Sequence, residues 1–145
     1  MAHDRIDWHS GADNFPPGLP EEAGGTHIGM YLAWAITRGL EGQFHREESP
    51  VALEEVRQRR MTGREFLVRQ CDTKFWEEDL SDLGNEFTRA YYGAETHPAY
   101  FEDYEECLSA NLPSLYHVAD TWENFDIIAA RIDERFDKWR RNRGD

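Results

Sequence analysis

Cysteine is scarce in this chain: Cys71 and Cys107 are its only two, and they form no Cys-x-x-Cys pair. That excludes a thiol-rich zinc site. The sequence also has no HExxH, GxSxG, P-loop, GxGxxG or EF-hand loop, so no familiar motif assigns a reaction. Long apolar runs are missing as well. The longest, Ile28 to Ile36, contains Gly29 and is too short to cross a bilayer. No apolar stretch follows the opening Met1-Ala-His-Asp-Arg5, as a signal peptide would require. The cytoplasm is therefore the expected location, with both thiols reduced. Positive charge is in short supply: 16 Lys and Arg stand against 29 Asp and Glu, a net −13. Such a chain repels phosphates, which disfavours direct nucleic-acid binding and anionic membranes.

Hydrophobic residues make up 39%, low for a globular domain. Aromatics, at 13%, compensate, because large rings supply core area and disordered chains are poor in them. A length of 145 residues fits one domain, 1–145, that needs no metal or disulfide staple.

Local signals predict a mostly α fold of five to six helices behind an irregular N-terminal arm, residues 1–20. The arm ends in the turn Pro16-Pro17-Gly18 and is expected to be pinned by Trp8 and Phe15. Pro20-Glu21-Glu22 or Thr26 starts a helix that stops near Gly39. Its middle is apolar on nearly every face, which marks a central, buried helix. Gly25, Gly29, Ala33 and Thr37 recur at i, i+4, a stripe along which another helix could approach closely. Ser49-Pro50 predicts a helix to about residue 60. Thr62 and Glu65 have capping-box spacing, and Ser81 can cap a helix ended by Gly93. Tyr100, Phe101, Tyr104 and Leu108 follow at helical spacing until Leu112-Pro113. The cleanest amphipathic run is the last, from Trp122 to Trp139 after a Thr121 cap.

Charge is unevenly spread. Residues 77–126 carry thirteen acids and one base, close to the whole net charge of the chain. Crowded carboxylates cost folding free energy through mutual repulsion. Rings among them would make aromatic anchors within an acidic rim, the anatomy of a protein-binding site. The plainer reading is a solvated face balanced by Arg57, Arg59, Arg60, Arg64 and the C-terminal arginines.

Candidate chemistry is thin. His3, Asp4, Asp7, His9 and Asp13 are metal-ligating types, but their spacing fits no helix or strand that would converge them, so neither a metal nor another cofactor is expected. His27, at the start of the buried helix, is the best candidate for a special histidine; the bland alternative is a hydrogen-bonded core histidine. Cys71 and Cys107 read as small buried hydrophobes.

Several blocks carry a family likeness together: Leu19 to Trp34, Asp103-Tyr-Glu-Glu106, Leu115-Tyr-His-Val118, Asp120 to Phe125, and Ile132 to Trp139. They resemble an uncharacterised family of small acidic bacterial cytoplasmic proteins, a domain of unknown function whose members occur beside secreted polymorphic or type VI toxins. The resemblance implies an immunity protein that binds a cognate toxin, and it carries over no catalytic residues. An acidic surface would steer toward a basic active-site cleft and plug it. The expected contact residues are Glu95, Tyr100, Glu102, Asp103, Glu105 and Glu106, with Glu77, Glu78 and Asp79 beside them. Two alternatives stay open: a small hydrolase or nucleotide-modifying enzyme using His27 and nearby carboxylates, and a scaffold subunit.

Overall fold

The most apolar segment of the chain becomes the axis of the molecule. In the computed structural model, which describes residues 2–93 and 98–144, helix α2 (Thr26–Thr37) is buried continuously from Thr26 to Ile36. A one-turn 3-10 helix, Glu21–Gly25, leads into it. Gly39, at φ +75°, turns the chain away after its last turn; glycine takes that left-handed conformation without a Cβ clash.

The small-residue stripe of α2 receives α5 (Gly63–Gln70). A Cβ built on Gly29 would run into the backbone of Gly63 and Arg64, and one on Gly63 into the Gly29 carbonyl. Backbone therefore meets backbone where the helices cross. Gly25 makes room for the Ile6 side chain. Thr37 is exposed and bonds back to the Ala33 carbonyl, so the stripe ends one turn early. α5 is entered through the capping box: the Thr62 side chain accepts from Glu65 N–H, and Glu65 Oε1 accepts from Thr62 N–H.

Helices α3 (Gln43–Glu48) and α4 (Pro50–Arg57) lie between α2 and α5 in sequence. Pro50 takes the first helical position of α4, as predicted, but Ser49 makes no capping bond. Its hydroxyl donates to Gln70 instead, 3.2 Å away. Helix α6 (Asp82–Tyr91) is capped by Ser81, and α8 (Trp122–Arg143) by Thr121. Between them lie α7 (Ala99–Tyr104), a π turn (Glu105–Ser109) and a 3-10 turn (Leu115–His117).

The fold is mainly helical, and two expectations need correction. Eight α-helices occur among the described residues rather than five or six, because α1 (Ile6–Ser10) and α3 are short and leave little periodicity to read. The N-terminal segment is not irregular throughout. Ala2–Arg5 forms strand β1, antiparallel to β2 (Lys74–Trp76), and α1 follows directly. Ile6, 5% exposed, anchors this segment. Trp8 is 54% exposed, and Phe15 packs on the Tyr116 ring at 5.0 Å between centroids. Among the described residues, no helix is long and apolar enough to cross a membrane.

The core is a stack of rings around α2. Tyr31 touches Trp34, Phe75, Tyr91, Tyr92 and Tyr100. Their hydroxyls are satisfied internally: Tyr31 with Thr88 Oγ1 at 2.8 Å, Tyr100 donating to the His27 carbonyl at 2.5 Å. Such pairing is what makes tyrosine tolerable in an interior.

Candidate functional site

An open groove of about 900 Å³ lies between α3, the turn Glu77–Asp79 and the start of α6. Phe44, 45% exposed, and the half-buried Trp76 supply its apolar surface. Glu77, Glu78 and Asp82 are its exposed acids, and Arg46 is the basic residue among its lining. Phe44 and Asp82 were not among the residues singled out from sequence. An isolated Phe before His45 carries no periodic signal, and Asp82 reads as part of a helix start.

One buried carboxylate builds both walls. Asp79, 3% exposed, accepts from the His45 ring at 2.6 Å through Oδ1 and from Trp76 N–H at 2.7 Å through Oδ2. His45 is the neighbour of Phe44 on α3, and the Trp76 contact closes the turn that carries Glu77 and Glu78. Gly42 N–H donates to the Asp79 carbonyl at 3.0 Å, and Glu41 bridges to Leu80. A Cβ on Gly42 would strike the Glu78 carbonyl. Cys71 sits 3.6 Å from Asp79 Oδ1; burial and that carboxylate push its thiol far above the usual range. A thiol so held is a packing group and not a nucleophile.

The residues expected to meet a partner separate into two sets. Glu77, Glu78, Glu102, Glu105 and Glu106 are exposed. Tyr100, Asp103 and Asp79 are buried at 0%, 2% and 3% exposure and offer no surface. Tyr100 packs into the ring stack because it shares the apolar spacing of α7. Asp103 is held by Arg131, Arg135 and the Tyr91 hydroxyl, all at 2.7–2.9 Å. Glu106, in the π turn, also reaches Arg131, at 3.3 Å, so the acids from Asp103 to Glu106 are partly neutralised by α8. Glu77 faces Arg89 at 3.9 Å. Glu95 lies outside the described residues.

His27 is 1% exposed, beneath the rings of Phe101, Tyr104 and Tyr116. The carboxylate that an enzymatic role would need is present: Asp4 Oδ2 is 3.4 Å from His27 Nε2. Asp4 is itself buried and also meets His9 Nε2 at 2.8 Å, the Tyr92 hydroxyl at 2.5 Å and Arg5 N–H at 2.8 Å. Burial pushes the Asp4 carboxyl up, but hydrogen bonds from His27 and His9 outweigh it and hold the group below the usual carboxylate range. Burial lowers His27. The N-terminal residues set aside for lack of convergence thus divide: Asp4 and His9 do converge, with His27, across β1, α1 and α2. Of the others, His3 is engaged with Asn85 at 2.8 Å and Asp7 with Arg5 at 2.7 Å.

A family model described as "Domain of unknown function (DUF7832)" matches residues 2–118. The chain belongs to that family. The DUF7832 span contains both groove walls and the Asp4, His9 and His27 cluster, and it stops before α8. No curated protein and no solved structure matches the chain.

Proposed function

We propose that this DUF7832 protein is an immunity protein that neutralises a cognate bacterial toxin by occluding its active site, with the Phe44 and Trp76 groove as the contact surface. The observation that supports this most is the joining of exposed Phe44, half-buried Trp76 and the exposed acids Glu77, Glu78 and Asp82 on walls fixed by a buried carboxylate. Rings in a pocket supply binding energy on desolvation. Carboxylates around them accelerate encounter with a basic cleft and reject acidic partners. A net charge of −13 extends the same field over the molecule. The toxin reading also leans on the family likeness drawn from the sequence blocks. An acid–base enzyme working at His27 is the weaker reading, since that ring is 1% exposed and packed against Phe101, Tyr104 and Tyr116.

The test pairs the protein with the toxin domain encoded beside it. Glu77→Lys, Glu78→Lys and Asp82→Lys together should slow association at least about tenfold at low salt and flatten its salt dependence. Phe44→Ala should instead speed dissociation while leaving the melting temperature unchanged. Glu102→Lys with Glu105→Lys maps the α7 side in the same assay. A groove variant that binds and protects cells like the parent rules out this surface. The absence of any toxin reading frame next to the gene counts against immunity itself.

A further inference from the structure

We propose that Asp4, His9 and His27 form a binding site for one divalent transition-metal ion, with zinc as the probe of choice. Three side chains from three elements bring four ligating atoms, both Asp4 oxygens and two Nε2 nitrogens, into one small volume. Asp4 Oδ1 to His9 Nε2 is 2.8 Å, His9 Nε2 to His27 Nε2 is 3.2 Å, and His27 Nε2 to Asp4 Oδ2 is 3.4 Å. Zinc binds nitrogen and carboxylate oxygen at about 2.0–2.2 Å. Ligands at that distance, spaced between octahedral and tetrahedral angles, lie about 3.0–3.4 Å apart; the two His27 separations fall in that range, and the Asp4–His9 pair, hydrogen-bonded at 2.8 Å, would open slightly around an ion. Two imidazoles and one carboxylate are a donor set that suits zinc or ferrous iron.

Proton counting points the same way. Suppose both Nε2 atoms carry protons and donate to Asp4. Two N–H groups then face each other across 3.2 Å. Suppose instead that His27 Nε2 accepts from His9. Its lone pair then faces the carboxylate Oδ2; its buried Nδ1–H has no acceptor there, nor would it have one with an ion on Nε2. Each arrangement leaves one repulsive contact among the three groups. A cation between them takes every lone pair at once.

The surroundings suit a metal site. Tyr116 Oη lies 2.7 Å from His9 Nδ1, the outer-shell contact that orients a ligating histidine. Tyr92 and the Arg5 amide occupy one lone pair on each Asp4 oxygen and leave one free on each. The His9 side chain is 15% exposed, which gives an entry path, while His27 is sealed. Three protein ligands leave a position for water or another small ligand. The second cluster of ligating types, His45, Cys71 and Asp79, lacks this geometry. Its His45 to Asp79 separation of 2.6 Å is a hydrogen bond, too close for two ligands sharing an ion.

The experiment uses the full chain, stripped with chelator and titrated with zinc by calorimetry, and with cobalt(II) by visible absorption. One equivalent should bind at micromolar affinity or tighter, the cobalt form should show ligand-field bands, and zinc should raise the melting temperature by several degrees. His9→Gln should weaken binding at least a hundredfold, with circular dichroism verifying its fold. Tyr116→Phe should weaken it about ten- to hundredfold. Phe44→Ala, in the groove, should change nothing. Binding weaker than about a millimolar dissociation constant, or unaltered affinity in folded His9→Gln, would overturn the site. Groove variants leave these readouts untouched, so this inference and the toxin reading fail independently.

Discussion

Gly63→Ala should lower stability by at least about 4 kcal/mol, a loss reserved for substitutions with a severe structural cause. Helix propensity forecasts the opposite, since alanine is better than glycine in a helix by about 1 kcal/mol. The sign of the result therefore separates local preference from packing. At Gly63 the added methyl would overlap the Gly29 carbonyl and come within 2.9 Å of the Ala33 side chain. No flexible side chain can move aside to relieve it. The two helices would have to part, and α2 is the most buried element of the fold. Gly29→Ala should be equally damaging, from the other side of the crossing. Gly93→Ala is the control, because its nearest neighbour would stand at an ordinary 3.8 Å. Urea midpoints for the three variants check this. A Gly63→Ala protein as stable as the parent would mean that the helices do not cross as described.

Asp103→Ala should cost about 3 kcal/mol, near the lower end for breaking a buried ion pair. The low end applies because the arginine side chains are 24% and 43% exposed and regain water when released. Tyr91, by contrast, loses the acceptor for its hydroxyl inside the core. Burial pushes the Asp103 carboxyl up. Hydrogen bonds from Arg135, Tyr91 and Arg131 outweigh this and hold it below its ordinary value. A carboxyl depressed in the folded state stabilises fully above its unfolded value of about 3.9. That stabilisation disappears as pH falls through the folded value. The parent should thus lose more stability than Asp103→Asn between pH 7 and pH 3. Denaturant melts at both pH values measure it; parallel losses in the two proteins would show that Asp103 is not the group responsible.

Legibility in the sequence followed the range of each interaction. Thr62, Ser81 and Thr121 cap helices through bonds to residues three positions on, so short-range patterns revealed them. The burial of α2 and the amphipathic α8 were readable from periodicity. Tyr100 and Asp103 were misplaced on the surface for different reasons. Asp103 among four acids looks solvated until Arg131 and Arg135 arrive from α8. The spacing of Tyr100 with Tyr104 did carry the interior signal, and the surrounding charge obscured it. Strand β1 has four residues and pairs some seventy positions away, beyond any local pattern. Asp4, His9 and His27 meet only because that strand, α1 and α2 are folded together. The groove follows the same logic, since Phe44 and Glu78 become neighbours through His45 and Asp79.

The family match ends at residue 118, but Phe125, Ile128, Ile132 and Phe136 of α8 are all at most 6% exposed. Phe136 lies against Trp34 and Phe87, with ring centres 5.4 and 5.0 Å apart, and Asp133 accepts the Trp34 indole proton at 2.8 Å. Excising residues 2–118 as an expression fragment would strip the lid from the central helix and present its indole face to water. The sequence-defined module is thus smaller than the cooperative folding unit, and fragments meant to isolate the family's shared core should keep the terminal helix.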